Sequence, residues 1–170
     1  NLSEICSVQI AGDGESRIDL ERFVRGLNLK NKPIFLGHVE NVYEIMKQYD
    51  LIVGMGRVIL EAMSQGLECF SINYDGPVGL VDSFLLQSLS YANFSGRNLG
   101  TSGEFNLQTL INQHSRDEDD WKKIYEFLTS NYNYNSTWEK YYSFVQDVRP
   151  VPDSDRGFIH EYIRMSLRHK

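Results

Sequence analysis

Residues 51–66 read Leu-Ile-Val-Gly-Met-Gly-Arg-Val-Ile-Leu-Glu-Ala-Met-Ser-Gln-Gly, and this stretch decides the fold. Leu51 to Val53 is an apolar run of strand type that stops at Gly54. Arg57 to Gln65 follows with helical spacing, and Gly66 ends it as a C-terminal stop. A strand passing through a glycine turn into a helix is the joint of a parallel α/β sheet.

The same joint recurs on either side. Upstream, Ser7 to Ala11 reads as a strand closed by Gly12-Asp13-Gly14, and Ser16 to Leu27 as a helix. Pro33 to Leu36 reads as the next strand, closed by Gly37, and Val42 to Tyr49 as a short helix with Asn41 as its N-cap. Downstream, Glu68 to Ile72 is a further strand. The strands are continuous apolar runs, which predicts burial on both faces. The fold class is therefore α/β: a Rossmann-like parallel sheet with helices on both faces. Gly76 to Gly79 reads as a turn region, and residues 93–103 are rich in Gly, Ser and Asn. Helical patterns at about 104–114, 117–131, 136–148 and 156–168 predict a helical C-terminal tail. The chain is read as one domain, with a core over about 5–100 and a tail over about 104–170. It does not begin with Met and opens close to a strand, so it is expected to be a piece of a longer two-domain protein.

Bulk composition narrows the function. The 170 residues are 41% hydrophobic, enough for a globular core. Net charge is −6 with no basic patch, which argues against nucleic acid. Any anion site must be local. Cys6 and Cys69 lie in apolar runs and read as buried thiols. No metal-ligand spacing is present, and no apolar run approaches the roughly 20 residues of a membrane span. The acidic run Asp117 to Asp120 opens a helix, where negative charge is stabilising. His114, His160 and His169 read as surface residues, and the aromatics between Trp121 and Phe144 as helix packing in preference to a surface that stacks on sugars. Three acceptor tripeptides for N-glycosylation, at Asn1, Asn93 and Asn135, carry little weight without a signal peptide.

In open α/β sheets, ligands bind beyond the carboxyl ends of the strands. Three loops stand there: Gly12-Asp13-Gly14, Gly37-His38-Val39 and Gly54-Met55-Gly56-Arg57. In the third, Gly54 and Gly56 keep side chains away from an approaching ligand, and the helix behind them offers free N–H groups to an anion. Arg57 in the first helical turn is repelled by the helix dipole, a conflict that a bound anion resolves; the alternative is an arginine extended into solvent. Glu61, one turn further on, either accepts hydrogen bonds from ribose hydroxyls or pairs with Arg57 at i,i+4. Gly12 and Gly14 lack the third glycine of a dinucleotide fingerprint, and a tight turn is the alternative reading.

The ordered pieces "IAGDGE", "IFLGHVENVYEIMKQYDLIV" and "GRVILEAMSQG" resemble the C-terminal, donor-binding domain of family-4-like retaining glycosyltransferases of the GT-B fold. The match is good over about residues 7–75 and reaches Arg97 through "YDGPVGLVDSF" and "NFSGR". The resemblance implies a nucleotide-diphosphate-sugar donor, UDP- or GDP-linked, from which a hexose passes to a polysaccharide or glycolipid acceptor. It implies that Gly12, Gly14 and Gly54 lie at the donor site. Gly56, Arg57 and Val58 match the helix start that cradles the diphosphate. Glu61 matches the second glutamate of an E-x7-E motif, which holds the ribose, and His38 and Val39 lie beside the base. Two departures stand out. The first motif glutamate, which contacts the transferred sugar, is Val53 here. The arginine and lysine that neutralise the diphosphate would lie before Asn1, with Arg57 as a partial substitute.

The expected acceptor site belongs to a missing N-terminal domain, so the chain alone is expected to bind donor and transfer nothing. No catalytic residue is assigned within it. No cofactor or metal is expected. The expected setting is bacterial and cytoplasmic, at the inner face of a membrane through the full-length protein. The alternatives are a sugar-nucleotide epimerase of GT-B fold and a non-catalytic, degenerate transferase scaffold. A receiver-like signalling domain fits less well, because these strands end in glycines rather than clustered acids.

Overall fold

The computed structural model describes residues 7–101 and 116–147. Its elements run in the order β1 (Gln9–Ala11), α1 (Arg17–Gly26), β2 (Ile34–Gly37), α2 (Val42–Met46), β3 (Leu51–Gly54), α3 (Arg57–Ser64), β4 (Glu68–Asn73), β5 (Gly76–Leu80), α4 (Ser83–Ser90), α5 (Glu118–Tyr132) and α6 (Tyr134–Asp147). The strand-helix alternation follows the periodicities of the sequence, and the chain is Rossmann-like α/β. β1 pairs parallel to β2, and β3 pairs parallel to β4 with Val53 opposite Phe70. The tail patterns at about 104–114 and 156–168 lie outside the described residues. The other two appear as α5 and α6.

The strands form two sheets, β1-β2 and β3-β4-β5. Two sequence expectations change. Gly76 to Gly79 is not a turn region: it belongs to β5, antiparallel to β4, with Phe70 opposite Leu80. The turn is Tyr74-Asp75, where Gly76 takes φ 143°. Pro77 is tolerated because β5 is an edge strand among the described residues. Burial on both faces also holds only for β4, where Cys69, Phe70, Ser71 and Asn73 are buried. Gln9, Ala11, Ile34 and Val53 are exposed.

The contacts divide the chain into two compact units, Asn1–Leu128 and Thr129–Lys170. In the first, Ile59, Ala62 and Met63 of α3 form a core with Cys69, Val81, Leu86, Leu89, Phe94 and Ile124. Full burial of each large aliphatic side chain is worth about 1.5–3 kcal/mol. Asp82 caps α4, a helix to which the sequence reading gave no element, its carboxylate accepting from the Leu85 amide at 2.7 Å. Asn41 caps α2 as expected, accepting from the Glu44 amide.

An ion network fixes the start of α5. Arg116, its side chain only 6% exposed, donates to Glu68 of β4 at 2.7 Å and lies 4.6 Å over the Trp121 ring. Asp120 faces Arg116 at 3.5 Å and accepts from the Ser83 amide, while Asp117 accepts from the Asp120 amide. The acidic run is structural, as its place at a helix start predicts. In the second unit, Thr137 donates its amide to the Asn133 carbonyl at 3.1 Å, in the first turn of α6. No described helix is long and apolar enough to cross a membrane.

Candidate functional site

β3 and β4 run parallel, so their carboxyl ends open on the same side. β3 ends in Gly54, and the chain turns through Met55 and Gly56 into α3. Gly56 adopts φ 66° and ψ −136°, a conformation that a side chain would strain, with open space where a Cβ would stand. Gly54 is glycine for a different reason. A Cβ there would meet the Val58 side chain at 2.7 Å, so the small residue lets helix and strand close up.

The Gly56 amide donates to the Phe94 carbonyl at 2.7 Å. The Ile59 amide turns back onto the Gly56 carbonyl at 3.1 Å. The amides of Arg57 and Val58, at the first two positions of α3, point out of the helix start as orphan donors. Arg57 is 86% exposed and its Nε lies 2.8 Å from Oε1 of Glu61, which is 26% exposed. Of the two sequence readings of Glu61, the i,i+4 pair is present in this structure. An exposed pair of this kind adds only about 0.3–0.5 kcal/mol, so a competing ligand displaces it at little cost.

The loop that holds Gly56 was not legible as part of the site. Asn93 and Phe94 both take positive φ, 52° and 57°. Phe94 is 1% exposed, and its burial under the turn offsets a conformation that costs of order 1–3 kcal/mol. Asn73, 7% exposed at the end of β4, ties the loop down. Its Nδ2 donates to the carbonyls of Gly96 at 3.2 Å and Leu99 at 3.4 Å. Its Oδ1 accepts from the amides of Asp75 at 2.8 Å and Gly76 at 2.9 Å. Arg97, next in the loop, lies 4.9 Å over the exposed ring of Tyr74.

The first two loops form a second group. The Gly12 amide donates to the Gly37 carbonyl at 2.8 Å, and the Arg17 amide to the Gly14 carbonyl at 2.9 Å. His38 Nδ1 lies 3.9 Å from Asp13 Oδ2, both side chains well exposed. Val39 is half-buried beside them. Arg17, unassigned from sequence, lies against Gly37, so a side chain at residue 37 would collide with its guanidinium. Thus Gly12, Gly14, His38 and Val39 are gathered in one place, and Gly54, Gly56, Arg57, Val58 and Glu61 in another. Among the described residues no hydrogen bond or ion pair joins the two groups. No described cluster of His, Cys, Asp and Glu could hold a metal ion.

Loops at the carboxyl ends of parallel strands, one opening a helix with free amides, are the binding edge of a Rossmann-like α/β protein. Residues 3–87 match the family model of glycosyl transferases group 1, and the chain belongs to that family. It is 37% identical over 89 residues to the Escherichia coli UDP-Gal:alpha-D-GlcNAc-diphosphoundecaprenol alpha-1,3-galactosyltransferase, covering 46% of this chain and 23% of that protein. It is 30% identical over 73 residues to the Bacillus anthracis N-acetyl-alpha-D-glucosaminyl L-malate synthase, covering 39% of this chain and 19% of that protein. The chain thus spans less than a quarter of the length of either relative. No solved structure matches it.

Proposed function

We propose that this chain is the donor-binding part of a glycosyltransferase that moves a hexose from a nucleoside diphosphate to a polysaccharide or glycolipid acceptor. The observation that carries the proposal is the start of α3, where two orphan amides and the exposed Arg57 guanidinium stand at the carboxyl edge of β3 with Glu61 one turn behind. The E. coli relative's name specifies UDP-Gal, so the uridine nucleotide is the first donor to test.

In the reaction, the bond between the anomeric carbon and a diphosphate oxygen breaks, and a bond to the acceptor hydroxyl oxygen forms. The acceptor's proton leaves with that step. Negative charge grows on the departing diphosphate, and fixed amides and a guanidinium stabilise it most when already aimed there. Arg57 swings from Glu61 to the phosphate, which frees the Glu61 carboxylate to accept from ribose hydroxyls. The acceptor site and the group that receives the proton belong, in this reading, to the rest of the protein. The chain alone then binds nucleotide without turnover.

Calorimetric titration with UDP, GDP and ADP tests the reading. Saturable binding of one nucleotide, weakened at least about tenfold (roughly 1.4 kcal/mol) by both Arg57→Ala and Glu61→Ala, is expected. Binding unaffected by either substitution refutes this site. Val53, half-exposed where the resemblance expects a sugar-contacting glutamate, favours a second reading as a scaffold without catalysis. Sugar transfer by the full-length protein decides against that second reading.

A further inference from the structure

The proposed donor site draws on none of the cations between residues 17 and 32. Arg17, Arg22, Arg25, Lys30 and Lys32 all fall there against only Asp19 and Glu21, in a chain whose net charge is −6. Arg22 is spent on Asp19 at 2.6 Å, out in solvent. The fold gathers three of the others around one opening.

Arg17, Glu21, Val24 and Arg25 stand at helical spacings that put them on one face of α1. Pro33, just before β2, and Phe35 within it are two residues apart and so share one side of the strand. Together with Lys32 these residues line a cavity of about 250 Å³. Val24 is buried, and Pro33 and Phe35 are half-buried, so one wall is apolar. Charges beside such a wall act through a lower dielectric than charges in open water.

The cavity is short of negative charge. Glu21, its single carboxylate, accepts from Arg17 Nε at 2.8 Å. Arg25 stands in the last turn of α1, where the helix dipole favours a cation without any carboxylate. The Lys32 ammonium reaches only the Arg25 carbonyl, at 3.4 Å. Among the described residues neither Arg25 nor Lys32 makes an ion pair.

We propose that this cavity is an anion site that takes a phosphate group, either of a free phosphate monoester or of a phospholipid headgroup. A guanidinium offers a phosphate two parallel N–H donors, and an ammonium adds a point charge. The volume lies below the roughly 300–1,000 Å³ of sites for drug-sized ligands, so the site suits a phosphate with a small substituent rather than a second nucleotide-sugar.

The full-length protein tests this at low ionic strength, where exposed charges are least screened. It is titrated with inorganic phosphate and with glycerol phosphate. It is also mixed with vesicles of phosphatidylcholine, alone or with about 20 mol% phosphatidic acid. The test variant is Arg25→Gln with Lys32→Gln, both at exposed positions, so the fold is kept. Arg22→Gln is the control for diffuse charge, and Arg57→Ala removes the donor-site cation. For a free monoester, the expected result is saturable binding at about 1 mM or tighter, weakened at least about tenfold by the double variant alone. Recruitment to the acidic vesicles alone, lost only in the double variant, assigns the site to a lipid headgroup. Neither phosphate binding nor acidic-vesicle recruitment overturns the proposal. Equal loss in Arg22→Gln also overturns it, because the attraction is then diffuse. Loss in Arg57→Ala alone places the anion at α3 and overturns it too. Binding that survives Arg57→Ala does not depend on the donor-site reading, so the two proposals stand or fall separately.

Discussion

Asn73→Ala removes the side chain that binds the 93–97 loop to the end of β4, and its effect can be worked from the four hydrogen bonds it makes. Each such bond contributes about 0.5–1.5 kcal/mol net, so losing all four costs about 2–6 kcal/mol. Asn73→Asp separates the two halves of the job. A carboxylate still accepts from the Asp75 and Gly76 amides but repels the Gly96 and Leu99 carbonyls, and it sits at a buried position. It is therefore expected to lose at least as much stability as alanine loses, although two of the four bonds are kept. Because the loop engages Gly56 through the Phe94 carbonyl, both variants also loosen the start of α3. Urea unfolding gives the stability change, and nucleotide titration of the same samples gives the functional one. The control is Asn98→Ala, which removes a single exposed bond to the Ser88 carbonyl and should cost about 1 kcal/mol or less. A loss below about 1 kcal/mol for Asn73→Ala, with nucleotide affinity unchanged, refutes the view that Asn73 organises this loop.

Gly54→Ala places a methyl group 2.7 Å from the Val58 side chain and should destabilise by about 1–3 kcal/mol, with Val58→Ala in the same molecule recovering much of the loss. Full stability of the single variant with nucleotide binding abolished would instead make Gly54 a ligand-approach residue. Burial pushes the Cys69 thiol up to about 12 from 9.0, against the opposing pull of Arg116. In a Cys6→Ser background, disulfide reagents should leave the native protein unlabelled at pH 8. The unfolded thiol ionises first, so this contribution to stability is complete below about pH 9 and declines as pH rises towards 12. Rapid labelling at pH 8, at a rate unaffected by conditions that change the unfolded fraction, contradicts the burial of Cys69.

Much of the sheet was legible because parallel strands and their helices leave strong local signals. The run at residues 51–53, the glycine stop and the apolar helix at residues 57–65 need no distant contact to be read, and Asn41 declares its cap by chemistry alone. β5 was missed because Gly76, Pro77 and Gly79 weaken strand propensity. Yet the Asp75-Gly76 pair was a hairpin signal in plain view. α4 had its signal too, in the Asp82 cap. Other features had none. Asn73 holds the loop through two bonds to the Gly96 and Leu99 carbonyls, brought near only by the fold, and no spacing rule connects it to Gly96. Arg17 reaches Gly37 across a helix and a turn. The pairing of Arg57 with Glu61 was legible as an alternative, since i,i+4 geometry is local.

The buried strand pattern is the instructive failure. Apolar runs in β1, β2 and β3 predict strands covered on both sides, and only β4 meets that expectation. The sequence of each strand records an environment that the described residues alone do not provide. A strand is selected for its neighbours, so an exposed apolar residue such as Val53, beside the turn at Gly54 and Gly56, is a candidate for contact with another part of the protein. The departure at Val53 therefore has two physical readings. Either the proposed donor site lacks the carboxylate that the resemblance expects to contact the sugar, or the side chain is covered by another part of the protein. Replacing Val53 with Glu in the full-length protein separates them. Restored or faster transfer with stability kept means the side chain reaches the sugar. A lower unfolding temperature with no gain in transfer means that it is packed against apolar groups, where an unpaired carboxylate is costly.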